Sequence, residues 1–70
     1  MKYLESNPGI GNGALVIKGT RIKLASILAM LAAGMSLKYI ANRYPWLELS
    51  KIQGALKEAS EHFQSQPVHV

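Results

Sequence analysis

A glycine-rich stretch near the start of the chain has a composition that can bind phosphate. Residues 7–13 (NPGIGNG) hold three glycines, which allow backbone N–H groups to come close to an anion. A nucleotide-binding P-loop places such a loop after a strand and before a helix, and it ends in Gly-Lys-Ser/Thr. Here the glycines precede the first predicted strand, and in Lys18-Gly19-Thr20 the lysine stands before the glycine. We therefore expect a turn-rich loop and no nucleotide cofactor.

The residues that could bind a metal or transfer a proton are few. The chain has no cysteine and no aspartate, and Pro67 separates its two histidines, His62 and His69. Metal sites need several converging ligands, so we expect none here. Glu58 and Glu61 lie one turn apart on a predicted helix, where we expect a solvated face and not an acid/base pair. The sequence thus predicts no catalytic, cofactor or metal site, and the protein is not expected to be an enzyme.

Basic residues are concentrated in the middle of the chain. The protein has eight Lys or Arg and four Glu, for a net charge of +4. Residues 18–57 contain seven of the basic residues and a single acidic one, Glu48. This imbalance favours a polyanion or an acidic protein surface as the partner. The alternative is that the charge serves solubility alone.

The polar face of the last predicted helix is the candidate DNA-contacting surface, because serine, glutamine and lysine suit base edges and phosphates. The candidate DNA-binding residues are Ser50, Lys51, Gln53 and Lys57 on this helix, with Arg21, Lys38 and Arg43 at phosphates. Gly54, which costs a helix about 1 kcal/mol relative to alanine, would let another backbone approach. The alternative is an ordinary solvent-facing surface, since this face lacks arginine and Glu48 would repel phosphate.

Two short strands should precede the helices. The apolar run Ala14–Ile17 predicts one strand, a turn at Lys18-Gly19 follows, and Thr20–Ile22 is expected to return as the second strand. A two-stranded ribbon is marginal in water without support from helices or from a second copy of the chain. Because pairing would cover the free strand edges, we expect a homodimer.

Three helices are predicted from apolar spacing and from their end signals. Leu24, Ile27, Leu28 and Leu31 would form the inner face of the first helix, and Gly34 would end it. Ser36 is a suitable N-cap for a second helix over residues 37–43, which is expected to bury Ile40, Leu37 and Ala41. The turn residue Pro45 would stop this helix. The third helix, residues 49–64, would point Leu49, Ile52, Ala55, Leu56, Ala59 and Phe63 inward. Trp46, in the turn before this helix, is expected in the core; the alternative is a platform on which a base could stack.

This order of elements predicts an all-α domain, a three-helix homeodomain-like helix-turn-helix with a small N-terminal β-ribbon. We expect one domain over residues 1–63 and a flexible tail over residues 64–70. The most apolar stretch, residues 24–34, is shorter than the roughly 20 residues of a membrane span. With no cysteine and no secretory signal, the sequence predicts a cytoplasmic protein without membrane contact.

Four motifs together resemble the domain-of-unknown-function family 433. They are GALVIKGTRI at Gly13–Ile22, LAAGMS at Leu31–Ser36, YPWL at Tyr44–Leu47 and IQGAL at Ile52–Leu56, and the resemblance spans about residues 4–60. It implies a helix-turn-helix-like antitoxin of a type II toxin–antitoxin pair, which neutralises a PIN-like nuclease and also binds its own promoter DNA. The alternative hypothesis is a protein-interaction module that never binds DNA. Gly19, Thr20 and Arg21 carry the family signature, and Gly19 suits a turn.

Overall fold

Two antiparallel strands begin the fold and three helices follow. The structure is a computed structural model that describes the backbone of residues 1–64 and the side chains of residues 1–62. The elements are strands β1 (Leu4–Asn7) and β2 (Ala14–Ile17) and helices α1 (Leu24–Ala32), α2 (Leu37–Arg43) and α3 (Leu49–Gln64). The predictions of β2 and of all three helices are confirmed.

The partner of β2 differs from the predicted one. Strand β1 pairs with β2, with Leu4 opposite Ile17 and Asn7 opposite Ala14. The prediction that Thr20–Ile22 forms the second strand is wrong, although the chain does turn at Gly19 (φ 80°) and return beside β2. Beyond the turn, this return makes only one backbone hydrogen bond, from the Ile17 amide to the Ile22 carbonyl (2.9 Å), and one isolated antiparallel bridge between Val16 and Lys23. The Thr20 hydroxyl donates a hydrogen bond to the Ile17 carbonyl (2.7 Å) and accepts one from the Ile22 amide (3.0 Å). These bonds hold residues 20–22 in an irregular bend.

The two-stranded sheet is part of the main core, so the predicted all-α class is wrong. Leu4 and Ile17 are each 1% exposed and belong to the same buried cluster as Ile27, Ile40 and Ile52 of the helices. A short sheet has one face to bury, and here the helices cover that face. The protein is therefore a small mixed α/β domain of one two-stranded sheet and three helices.

The ends of the first two helices follow the predicted chemistry. Gly34, at φ 93°, donates its N–H to the Leu31 carbonyl, and Met35 donates to that of Met30, which is the Schellman pattern of helix termination. Ser36 caps α2 by accepting a hydrogen bond from the Tyr39 amide at 3.0 Å. Pro45 lies in the turn that follows, which the Leu47 amide closes by bonding to the Tyr44 carbonyl. Gly19, Gly34 and Pro45 thus each lie in a turn between two elements.

Three apolar side chains predicted to point inward are exposed. Leu28 of α1 is 41% exposed and Leu49, the first residue of α3, is 37% exposed. Trp46 is 66% exposed, so its predicted place in the core is wrong. The adjacent Leu47 is 7% exposed and fills that place, since the turn at Pro45 directs the smaller side chain inward.

Some predictions concern residues that the structure does not describe. The side chain of Phe63, the histidine His69 and residues 65–70 of the tail predicted over residues 64–70 lie outside the described part, while Gln64 is the last residue of α3. Within residues 1–64, each helix is too short or too polar to cross a lipid bilayer.

Candidate nucleic-acid interface

The N-terminal residues cross one side of α3. The ring of Tyr3 lies over Gly54, and a Cβ added to Gly54 would be 2.6–2.7 Å from three ring carbons. The Nζ of Lys2 lies 5.3 Å from the centre of the same ring. Another part of the chain does approach Gly54 closely, as predicted. The contact is made by the aromatic side chain of Tyr3 and not by a second backbone.

Glu58 fixes these N-terminal residues to α3. Its carboxylate accepts hydrogen bonds from the amides of Lys2, of Tyr3 (2.8 and 2.9 Å) and of Leu4 (3.0 Å). The prediction that Glu58 lies on a solvated face is thus wrong for this residue, which is half-buried, while Glu61 is exposed as expected. The reason is that β1 leaves amide donors at its start, and the carboxylate satisfies them.

This crossing divides the predicted DNA-binding residues of α3 into two groups. Ser50, Gln53 and Lys57 are exposed and lie at positions i, i+3 and i+7, so they share one side of the helix, which we call the α3 ridge. Lys51 is also exposed, but it shares its side of the helix with Gly54, which Tyr3 covers. The structure therefore brings three of the four residues together and turns Lys51 toward the N-terminal residues.

The other three predicted DNA-binding residues lie on different elements. Arg21 is in the bend between β2 and α1, Lys38 is in the first turn of α2, and Arg43 is the last residue of α2. All three side chains are exposed, so each is accessible to a partner. Their roles as phosphate contacts stay predictions.

The structure also contains a cleft that the sequence analysis missed. Two adjoining concavities, of about 270 and 250 Å³, lie between the turn after β2 and the start of α3. Lys18 and Lys51 line both concavities. We call the two concavities together the Lys18–Lys51 cleft. Lys2 and Tyr3 line one end, and Trp46 and Glu48 the other. The only signal in the sequence was the basic charge, because the two lysines are 33 positions apart.

The charges around the cleft are unevenly distributed. Three lysine ammonium groups line it, two of them shared by both concavities, while the carboxylate of Glu48 lines only the Trp46 end. The Ser50 hydroxyl donates to that carboxylate at 3.3 Å. Anionic groups of a partner would therefore be attracted most strongly to the Lys2 end, because at the Trp46 end Glu48 offsets part of the positive charge of Lys18 and Lys51.

A second exposed surface is apolar. Helix α1 contains no charged residue, and its Leu28 is 41% exposed. Tyr39 of α2 is 49% exposed. A surface of this kind suits a protein partner more than a polyanion.

Comparison with known proteins gives one match. The family model described as "Protein of unknown function (DUF433)" matches residues 4–59, which run from the start of β1 into the last turns of α3. No curated protein and no solved structure matches the chain. The match agrees with the span over which the four motifs predicted this family.

Proposed function

The chain belongs to the DUF433 family of proteins of unknown function, and from this premise we propose that it is a non-catalytic antitoxin of a type II toxin–antitoxin pair. It neutralises a PIN-like nuclease by binding the nuclease surface, and it binds its own promoter DNA. The motif resemblance supports the antitoxin role. The α3 ridge supports DNA binding and is the observation on which the proposal mainly rests.

The α3 ridge has the chemistry of a base-reading surface. A glutamine can bond to both edge atoms of adenine, a serine to either type of edge group, and a lysine to guanine or phosphate. From Ser50 to Lys57 the ridge spans about 10 Å along the helix axis, because an α-helix rises about 1.5 Å per residue. This length matches about three base pairs at about 3.4 Å each.

A homodimer would present two such ridges to the duplex. Two copies related by a two-fold axis would read half-sites separated by about one helical turn of DNA, roughly 34 Å. Arg21, Lys38 and Arg43 would then contact phosphates beside each half-site. The dimer belongs to this proposal because a single ridge of three side chains gives little sequence selectivity.

The test is titration of the full chain with the duplex upstream of its own gene, across a salt series, with a scrambled duplex as control. Lys57→Ala should weaken binding to both duplexes and lower the salt slope by about 1. Gln53→Ala should lower the preference for the native duplex. The matched control is Lys23→Ala, which removes an exposed charge that is not in the proposed interface. Equal slopes for the Lys57 and Lys23 variants would remove the α3 ridge from the interface.

A second candidate function is nuclease binding without DNA binding, and the exposed Leu28 and Tyr39 favour it. The test measures RNA cleavage by a PIN-like nuclease encoded beside this gene, with and without the protein. Leu28→Glu should abolish inhibition, and Lys23→Glu should not. Inhibition together with equal, weak binding to both duplexes would establish this second function. No inhibition by the wild-type protein would overturn the antitoxin role.

A further inference from the structure

We propose that the Lys18–Lys51 cleft binds single-stranded nucleic acid, with a base stacked on Trp46 and the adjoining phosphates against Lys18 and Lys51. This site is separate from the α3 ridge and does not depend on the proposed function. It uses Lys51 for a different purpose from the one the sequence suggested. Its main components are an exposed indole ring and two lysines that line the same concavity.

The position of Trp46 is not explained by packing. Its side chain is 66% exposed, while the neighbouring Leu47 fills the core position. The ring of Tyr44 contacts Trp46 in an edge arrangement, with centroids 6.2 Å apart and planes at 76°. This contact orients the indole without burying it. An exposed, oriented aromatic ring is the feature on which single-strand binding proteins stack bases.

The distribution of charge determines which end of the cleft suits the base of a bound strand and which end suits its phosphates. Lys18 and Lys51 lie in both concavities, and Lys2 adds a third ammonium group at the end away from Trp46. Glu48 lies at the Trp46 end, where it repels phosphate but not an uncharged base. Gly19, in the turn after β2, lines the Trp46 end, and a Cβ added there would meet nothing within 4 Å. The backbone of the turn is thus open to a nucleotide.

The shape and chemistry favour a single strand over the other polyanions. Each concavity, at about 250–270 Å³, is smaller than most small-molecule pockets, and both are continuous with solvent, which suits a chain that runs across them. In a duplex the faces of the bases are stacked on each other, so Trp46 could not reach one without extruding it. An acidic peptide would pair with the lysines, but its carboxylates are anionic and would be repelled by the electron-rich face of the indole.

Trp46 is the only tryptophan in the chain, so its fluorescence reports on the site directly. The experiment titrates the full chain with a 12-nucleotide oligo(dT) and a 12-nucleotide oligo(U) at low salt. We expect saturable quenching by both, with affinity that falls steeply as salt is added. Comparison of the two oligonucleotides shows whether the cleft prefers DNA or RNA.

Variants are compared by the anisotropy of a labelled oligo(dT), after thermal unfolding has shown that each is folded. Trp46→Ala should weaken binding about tenfold, and Trp46→Phe should recover part of the loss. The matched control is Tyr39→Ala, which removes another exposed aromatic ring that does not line the cleft. Lys18→Ala with Lys51→Ala should also weaken binding about tenfold. The control is Lys23→Glu, which lowers the net charge by the same two units outside both proposed sites and should have a much smaller effect.

Three results would overturn the proposal. They are oligonucleotide binding with unchanged Trp46 fluorescence, equal losses for the Lys18/Lys51 double variant and for Lys23→Glu, and tighter binding of a 12-residue poly-glutamate peptide with the same dependence on Trp46. The outcome is separable from that of the proposed function, because Trp46→Ala leaves the α3 ridge intact. Promoter duplex binding that survives in this variant, while oligo(dT) binding is lost, shows two independent sites.

Discussion

The ring of Tyr3 lies on Gly54 at a distance that leaves no room for a methyl group on the helix. A Cβ at position 54 would be 2.6–2.7 Å from three atoms of the ring, well inside van der Waals contact. The amide of Tyr3 is bonded to Glu58 one turn further along α3, so its backbone is held in place and the ring could clear a methyl group only by changing its rotamer. The glycine is therefore required by the position of the N-terminal residues and not by the helix itself.

The first prediction concerns Gly54→Ala. Alanine should favour the helix by about 1 kcal/mol, but overpacking against Tyr3 costs about 1–3 kcal/mol. We expect a net loss of about 1 kcal/mol in the free energy of unfolding, measured by urea denaturation. In the Tyr3→Ala background the same substitution should instead stabilise the protein by about 1 kcal/mol. The same sign in both backgrounds would show that Tyr3 is not the obstacle.

The second prediction concerns Glu58→Gln. The glutamine keeps the size of the side chain but loses the charge and places an NH₂ group against backbone donors. Hydrogen bonds to charged groups contribute about 1.5–3 kcal/mol each. Because residues 2–4 can relax into water, part of this loss is offset. We expect a net decrease of about 2 kcal/mol in the free energy of unfolding, measured by urea denaturation. Glu61→Gln, on the exposed side of the same helix, is the control and should change stability by less than about 0.5 kcal/mol. Equal effects would show that the Glu58 bonds contribute little.

The third prediction concerns Thr20→Val, which keeps the shape of the side chain and removes its hydroxyl. The amide of Ile22 then loses its acceptor and the Ile17 carbonyl loses a donor. We expect a loss of about 1–2 kcal/mol in thermal or urea unfolding. Thr20→Ser retains the hydroxyl and should lose much less. If serine is as destabilising as valine, the methyl group and not the hydroxyl is what stabilises the bend.

The fourth prediction concerns the end of α1. Gly34 has a φ of 93°, which costs an L-residue with a side chain about 1–2 kcal/mol. A Cβ there would meet no atom within 4 Å, so the effect of Gly34→Ala is conformational and not steric. We expect a loss of about 1 kcal/mol for alanine and a smaller one for asparagine, which tolerates positive φ better. Equal losses for both would contradict this explanation of the helix end.

The elements that the sequence predicted correctly depend on neighbouring residues. The bounds of α3, the end of α1 at Gly34 and the cap at Ser36 follow from apolar spacing and from backbone hydrogen bonding over a few positions. Strand β2 was also predicted, because its four residues are apolar. Its partner was not, because β1 (LESN) is mostly polar and pairs across a loop of six residues. A nearer segment, Thr20–Ile22, had the stronger strand composition but is bent by its own threonine.

The parts of the candidate site that were missed depend on contacts between distant residues. Lys18 and Lys51 meet only because β2 packs beside α3, and nothing in their spacing indicates it. Glu58 has the sequence environment of a solvated helix face, and its role is set by amides 54–56 positions earlier. Trp46 was predicted to be buried from its residue type, but only one of two adjacent apolar residues in a tight turn can face inward.

The hydrogen bonds of Glu58 have a consequence for how the protein is made. Strand β1 is the first element of the domain to be synthesised, and the carboxylate that holds its start follows more than fifty residues later. During translation the helices α1 and α2 can form from local contacts, while the amides of residues 2–4 must wait for Glu58 to accept their hydrogen bonds. The N-terminal segment is therefore the first part of the domain to be synthesised and among the last to be held in place.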